Sequence, residues 1–313
     1  MARMIFTRLL LMFMAMFVVV TAMFFGIRLG GTDPAIAIQG SYATAESIAF
    51  LRASLGLDEP LWQQYVMYMT GVLTGDLGVS LQNGRPVLEQ ILLVLPNTFD
   101  LTFWGMIIGV VVGVPLGFAS AIKRNTFWDQ VIRVGTLASI SMPPFIIAYL
   151  LLIIFAITFS MFPVNGGGDM DILSSRASHL FLPAMALGLA VAAYIARLTR
   201  TSILEILSKD FIRTARAKGV SEFRVMTRHV LKLSWVGIVT LIGIYSAVSV
   251  GGSVAIELVF GRPGVGRLVI GAISQGDFTM LQGAIIFYAA FVSLVNIIVD
   301  VTYTFLDPRI RYT

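Results

Sequence analysis

Cysteine is absent from the 313-residue sequence, histidine occurs twice, and only 12% of residues are charged. Without cysteine there are no structural disulfides and no thiolate metal sites. The two histidines, His179 and His229, are isolated from one another and suggest no transition-metal centre. No segment reads G-x-x-x-x-G-K-[ST], so a nucleotide phosphate loop is not expected on this chain. Converging nucleophiles, bases or metal ligands are also missing from the apolar stretches, which argues against a membrane-embedded enzyme. Hydrophobic residues make up 57% of the chain, and the mean hydropathy is +0.88. A water-soluble domain cannot hide that much apolar surface, so lipid is the solvent for most of the chain.

Charge disappears in six windows of about the length needed to cross a bilayer as helix. They are Leu9–Ile27, Leu101–Ile122, Val134–Gly168, Ala177–Ala196, Leu233–Ile256 and Phe278–Val299. The windows are continuously apolar and do not alternate, which excludes a closed β-barrel. The third is 35 residues long, more than one span requires, and Pro143-Pro144 is expected to kink it or to mark where an interfacial stretch becomes the span. The expected fold is an all-α polytopic membrane protein with six transmembrane helices.

With the N-terminus inside, 16 of the 22 lysines and arginines fall on the inner segments, and 11 of the 17 acids fall outside. The positive-inside rule then makes both termini cytoplasmic. The first window is long for a signal-peptide core and Phe25–Gly31 offers no A-x-A-like site, so it reads as a retained anchor. The net charge of +5 lies on the inner face, where anionic lipid favours it, and nucleic acid is not implied. The resulting division is an anchor helix over 1–29, an outward-facing insertion over 30–97, a five-helix core over 98–306 and a cytoplasmic tail over 307–313. Turn signals such as Asp33-Pro34, Glu59-Pro60 and Asn83-Gly84 alternate with short amphipathic runs in the insertion.

The densest charge lies in the inner loop 201–232, with seven basic residues against Glu205, Asp210 and Glu222. Thr201–Lys218 reads as a helix with Ile203, Leu204, Leu207, Phe211 and Ala215 on one apolar face. Gly219 is expected in the left-handed conformation that ends a helix. Ser221 is positioned to cap a second helix, with Glu222 in its first turn. Ala215, Ala217 and Gly219 are small enough to admit another protein, and the flanking arginines suit carboxylates. On charge alone, a docking surface and a loop that only enforces topology fit equally well.

Six motifs in order carry a resemblance along the whole chain. The segment Glu205…Arg213-Thr-Ala-Arg-Ala-Lys-Gly219…Arg228-His-Val resembles the EAA-type loop of ABC importer permeases, in particular those of the dipeptide/oligopeptide/nickel group. Leu55–Leu61 with Gln64-Tyr65, and then Gly75–Ser80, are similar to that family's outer insertion. Pro96-Asn-Thr98, Ser141-Met-Pro-Pro-Phe145, Glu257-Leu-Val-Phe-Gly-Arg-Pro-Gly-Val-Gly266 and Asp307-Pro-Arg-Ile-Arg311 complete the match. The loop departs from the pattern in reading Glu205-Ile-Leu in place of Glu-Ala-Ala.

The resemblance implies a permease subunit, not an enzyme, in a bacterial or archaeal plasma membrane. Its partners would be a second permease, two cytoplasmic ATPases that bind ATP and Mg, and a periplasmic or lipid-anchored binding protein. Glu205, Arg213, Ala215, Arg216, Lys218, Gly219, Ser221 and Arg228 would form the coupling surface for the ATPases. Gly251, Gly252 and Glu257 are gate candidates, although small-residue packing also accounts for the glycines. Short peptides are the expected substrate class, with nickel chelates, glutathione or another small solute as alternatives. A stand-alone secondary transporter would call for inverted repeats or interrupted, charged helices, and neither is clear in the sequence.

Overall fold

The computed structural model describes residues 2–30, 35–36, 44–54 and 56–306, so the expected tail over 307–313, with its Asp307–Arg311 motif, lies outside the described residues. Eleven α-helices of eight residues or more organise the described residues. They are α1 (Ala2–Leu29), α2 (Ala45–Ser54), α3 (Leu61–Thr74), α4 (Val87–Ile122), α5 (Phe127–Ser141), α6 (Pro144–Leu151), α7 (Leu173–Leu207), α8 (Asp210–Ala217), α9 (Leu231–Val259), α10 (Val265–Gln275) and α11 (Phe278–Leu306). Five of them contain runs long and apolar enough to cross a membrane: Phe6–Leu29, Val87–Ile122, Leu173–Leu207, Gly237–Val259 and Phe278–Val299. A bent pair, α5 followed by Pro144–Thr158, is apolar enough to make a sixth span if its two arms cross together, and it is bent by 105° at the break between them. The prolines explain the elbow. Met142 and Pro143 take extended backbone (ψ 129° and 141°), as residues preceding proline prefer, and Pro144 opens the next helix at its first turn.

The helices fall into two compact units, one comprising 97–262 with the segment from 295 onward, the other 2–96 with 263–294. The break between 96 and 97 falls beside the expected boundary between an insertion over 30–97 and a core over 98–306, and the stretch 263–294 groups with the insertion. Helix α4 starts at Val87, because Val87 and Ile91 are buried against Val265, Ala272, Met280 and Ala284. The insertion therefore shares a core with a distant part of the chain.

In the first unit α7 is central. Its apolar window is 72% buried inside the protein, against 33% or less for the other four spanning helices. Leu180, Leu182, Ala184, Ala186 and Leu187 on α7 meet Leu101, Ala148, Leu152, Ile256 and Phe260. Along α4, Gly105, Gly109, Gly113 and Gly117 recur every fourth residue and so share one face. A Cβ added at Gly105 would sit 2.7 Å from the Leu187 side chain, at Gly109 2.7 Å from Val191, and at Gly113 2.7 Å from the Ala192 carbonyl oxygen. At Gly117 it would run into the Ala196 carbonyl. Glycine here permits a close helix approach that a larger residue would block.

In the second unit α1 packs on α3. Phe24 is fully buried against Phe25, Tyr65 and Tyr68, and the Thr21 and Tyr65 hydroxyls are 2.8 Å apart. The Gly75–Ser80 motif is latched to the start of α11. The buried Asp277 carboxylate accepts hydrogen bonds from the Ser80 hydroxyl (2.5 Å) and the backbone N–H groups of Leu81 (3.2 Å) and Met280 (3.0 Å).

Candidate functional site

The loop 201–232 is held from beneath by one apolar cluster. Ile203, Ile212, Val225, Met226 and Val230 are buried together with Ala121 of α4. Burying a side chain of this size contributes about 1.5–3 kcal/mol, so α8 is fixed in place even though most of its surface is exposed. The single helix expected over Thr201–Lys218 is in fact two. Helix α7 runs on to Leu207, and after Ser208-Lys209 the chain restarts as α8. The interruption shifts the phase, so that Ile212 is fully buried while Phe211 is 44% exposed.

Helix α8 ends in a Schellman motif. The Gly219 N–H donates to the Arg216 carbonyl at 2.9 Å and the Val220 N–H to the Ala215 carbonyl at 3.2 Å. Gly219 has φ +77°, a conformation costly for any side chain with a Cβ. Ser221 stands at the cap of the next helical segment, but its side chain makes no capping bond. The two arms are instead clasped by Arg216, whose Nε and Nη2 donate to Glu222 at 3.0 and 2.6 Å. This pairing raises the arginine pKa and holds the Glu222 carboxyl below the ordinary carboxylate range. Arg216 is thus committed within the loop. Glu205 and Lys209 are 3.7 Å apart, Asp210 and Arg213 3.6 Å, both as exposed ion pairs. Lys218, Arg224 and Arg228 are exposed and make no ion pair among the described residues. Ala215 is half-buried and faces the loop's own core, while Ala217 and Gly219 are exposed.

From Glu222 the chain stays helical without a break, through a π-helical stretch Val225–Val230 into α9. At the far end of α9 is a second polar cluster. Glu257 is fully buried, not at a wet interface, and accepts a hydrogen bond from the Thr98 hydroxyl at 2.7 Å. Arg262 is also fully buried, 3.8 Å from the Asp100 carboxylate, and its Nε donates to the Asn97 carbonyl at 3.3 Å. Arg176 completes the cluster with a bidentate pair to Asp100, both contacts at 2.7 Å. Two acids and two arginines balance in charge, as burial at the edge of an apolar layer demands. The Pro96-Asn-Thr98 and Glu257–Gly266 motifs therefore meet in space. The sequence reading named both motifs without joining them.

Gly251 and Gly252 behave differently from the α4 glycines. A Cβ added at Gly251 meets nothing within 4 Å, and at Gly252 only Leu187 Cδ1 at 3.6 Å. Among the described residues, neither glycine makes a close approach. The glycines that do pack closely, on α4, went unread, although their spacing of four was visible.

A third cluster joins α5 to α7. The buried Asp129 accepts from the Ser120 hydroxyl at 2.6 Å and from Arg200 through two 2.9 Å bonds. It fixes the lower arm of the elbow to the central helix.

Comparison with known proteins matches residues 113–312 to the binding-protein-dependent transport system inner membrane components and residues 1–102 to the N-terminal model of such membrane components. The probable peptide ABC transporter permease y4tP of Sinorhizobium fredii is 40% identical over 91% of this chain and 92% of its own length. The glutathione transport system permease GsiC of Salmonella choleraesuis is 38% identical over 97% of both chains. The dipeptide transport system permease DppB of Alkalihalophilus pseudofirmus is 36% identical over 90% of both. Among solved structures, a chain of the MetNI methionine ABC transporter in an inward-facing crystal form has a TM-score of 0.58, with 19% identity over 70% of this chain and 96% of that one. That last likeness is one of fold.

Proposed function

This chain belongs to the family of binding-protein-dependent transport system inner membrane components, and on that premise we propose how it works. It is a permease subunit of an ABC importer, and short peptides are its substrate class, in keeping with relatives named for peptide and dipeptide transport. Relatives named for glutathione transport favour a second reading within the same class, since glutathione is itself a tripeptide. The permease works beside a second permease, two ATPases that carry the ATP and Mg, and a substrate-binding protein. Its membrane is the plasma membrane of a bacterium or archaeon, with both termini and the loop 201–232 in the cytoplasm.

The observation that carries this reading is the construction of the loop. It projects exposed cations and two exposed aromatics, Phe211 (44%) and Phe223 (76%), from a base fixed by Ile212. Its two ends are the ends of long helices. The 29 residues of α9 span roughly 44 Å at 1.5 Å per residue. An ATPase that seats α8 and then shifts on closing displaces α7 and α9 as levers. The far end of α9 is tied to α4 by the Thr98–Glu257 bond, so the motion reaches the opposite end of the bundle. ATP binding thereby biases the permease between two access states. Gly251 and Gly252 lie within two turns of Glu257 on α9, and we place the gate there.

The test is to purify the tagged chain from its native membrane in mild detergent, identify what is retained, and assay it for ATP hydrolysis and, after reconstitution, peptide uptake. ATPases recovered with wild type but lost with Gly219→Asp support the reading. Recovery of the chain alone, under conditions that preserve other membrane complexes, overturns it.

A further inference from the structure

Between α5 and α7 lies a cavity of about 450 Å³ whose walls include Arg133, Arg197 and Arg200. Three guanidinium groups around one cavity repel each other unless something negative is present. Asp129 neutralises Arg200 through its bidentate pair. Arg133 and Arg197 are exposed and have no ion pair among the described residues. The cavity thus keeps two uncompensated positive charges beside an oriented third guanidinium. The Thr136 hydroxyl on the wall donates to the Arg133 carbonyl at 3.0 Å and so steadies the backbone there, while Leu137 and Ile140 make part of the wall apolar.

Its depth follows from the sequence. Arg133 immediately precedes the uncharged run 134–168, and Arg197 immediately follows the uncharged run 177–196. Both cations therefore mark the level at which the helices leave the apolar layer, where lipid phosphates lie. We propose that this cavity binds a phosphate-bearing anion, the chemistry shared by an acidic phospholipid headgroup and a soluble phosphate. Arg133 and Arg197 supply the charge, Arg200 is held in position by Asp129, and the Leu137–Ile140 wall accepts apolar material attached to the phosphate. The position at the membrane edge favours the lipid.

The test uses the intact assembly in neutral detergent, titrated with fluorescent phosphatidylglycerol, with and without inorganic phosphate as competitor. Two variants are compared with wild type. Arg133→Gln/Arg197→Gln removes the cavity charges, and Lys123→Gln/Arg124→Gln removes two exposed charges outside it. Loss of one cation near a lipid surface weakens binding about 5-fold, so the cavity pair should bind phosphatidylglycerol about 25-fold more weakly, with the outside pair unchanged. Displacement by inorganic phosphate identifies a soluble ligand, and failure to displace identifies the lipid. Equal binding by wild type and the cavity pair overturns the proposal, and so does an equal loss in both pairs. Arg133 and Arg197 are exposed and make no ion pair among the described residues, so unchanged thermal unfolding of the cavity pair is the accompanying check on its fold.

Discussion

Thr98 and Glu257 stand 159 residues apart in sequence and 2.7 Å apart in space, joined by a hydrogen bond from hydroxyl to a carboxylate wholly out of solvent. Hydrogen bonds to buried charged groups contribute about 1.5–3 kcal/mol. Thr98→Val keeps the shape and removes the donor, so it should destabilise the detergent-purified protein by about that amount, while Thr98→Ser should restore most of it. Thermal unfolding of the three proteins is the measurement. Equal stability of Val and Ser variants would show that the bond contributes nothing.

The Arg216–Glu222 clasp predicts a rescue. Arg216→Glu alone places two carboxylates together and should loosen the turn and reduce coupled uptake. Arg216→Glu with Glu222→Arg restores the pair in reverse and should recover much of the loss. Both side chains are about half exposed, so the effect should read in transport and weakly in stability.

The same pair sets a pH window. The Glu222 carboxyl is depressed below its ordinary value of 4.5, so its contribution is complete above that value and is lost as pH falls through the lower folded one. Between about pH 6 and 8 the clasp should therefore be constant. Uptake that tracks the loop should show no change there attributable to Glu222, which a comparison with Glu222→Gln across that range would reveal.

At Gly219 the obstacle is backbone, not space. No neighbour lies within 4 Å of an added Cβ, yet φ is +77°. An L-residue in this region costs roughly 1–2 kcal/mol, with asparagine the best tolerated. Uptake should fall in the order Gly, Asn, Ala, Val. If Gly219→Val transports as well as wild type, the turn is not needed for coupling.

The α4 glycines should respond in the opposite way to those of α9. Gly113→Ala drives a methyl to 2.7 Å from a carbonyl oxygen on α7, whereas Gly251→Ala meets open space. Overpacking typically costs about 1–3 kcal/mol, so the first should lower detergent stability and the second should not. Melting both variants in parallel with wild type decides it.

The spans were legible because a run of about 20 uncharged apolar residues has few other uses. The turn at Gly219 was legible too, since glycine after a basic helical turn is a local signal. The break at Ser208-Lys209 was not, because the apolar positions from Ile203 to Ala215 keep helical spacing straight through it. Burial of Ile212 decided the phase there, and that depends on Ala121 and Val225, which no local window contains. Glu257 is a similar case. The sequence shows a charge at the rim of an apolar run, but its partner lies on another helix. Pro143-Pro144 announced a bend, while its size of 105° and the anchoring of the α5 arm by Asp129 and Arg200 depended on packing.

The glycine seam between α4 and α7 has a mechanical consequence. Four contacts at every fourth residue extend over about 18 Å of helix. Sliding one helix along the other by less than a full turn would drive side chains into backbone, because close-packed surfaces do not deform continuously. The two helices thus act as a single rod, so a push on the loop end of α7 carries α4 along with it. The elbow, the π-helical lead-in to α9 and the Ser208-Lys209 break all lie outside the seam, and bending there costs none of its contacts.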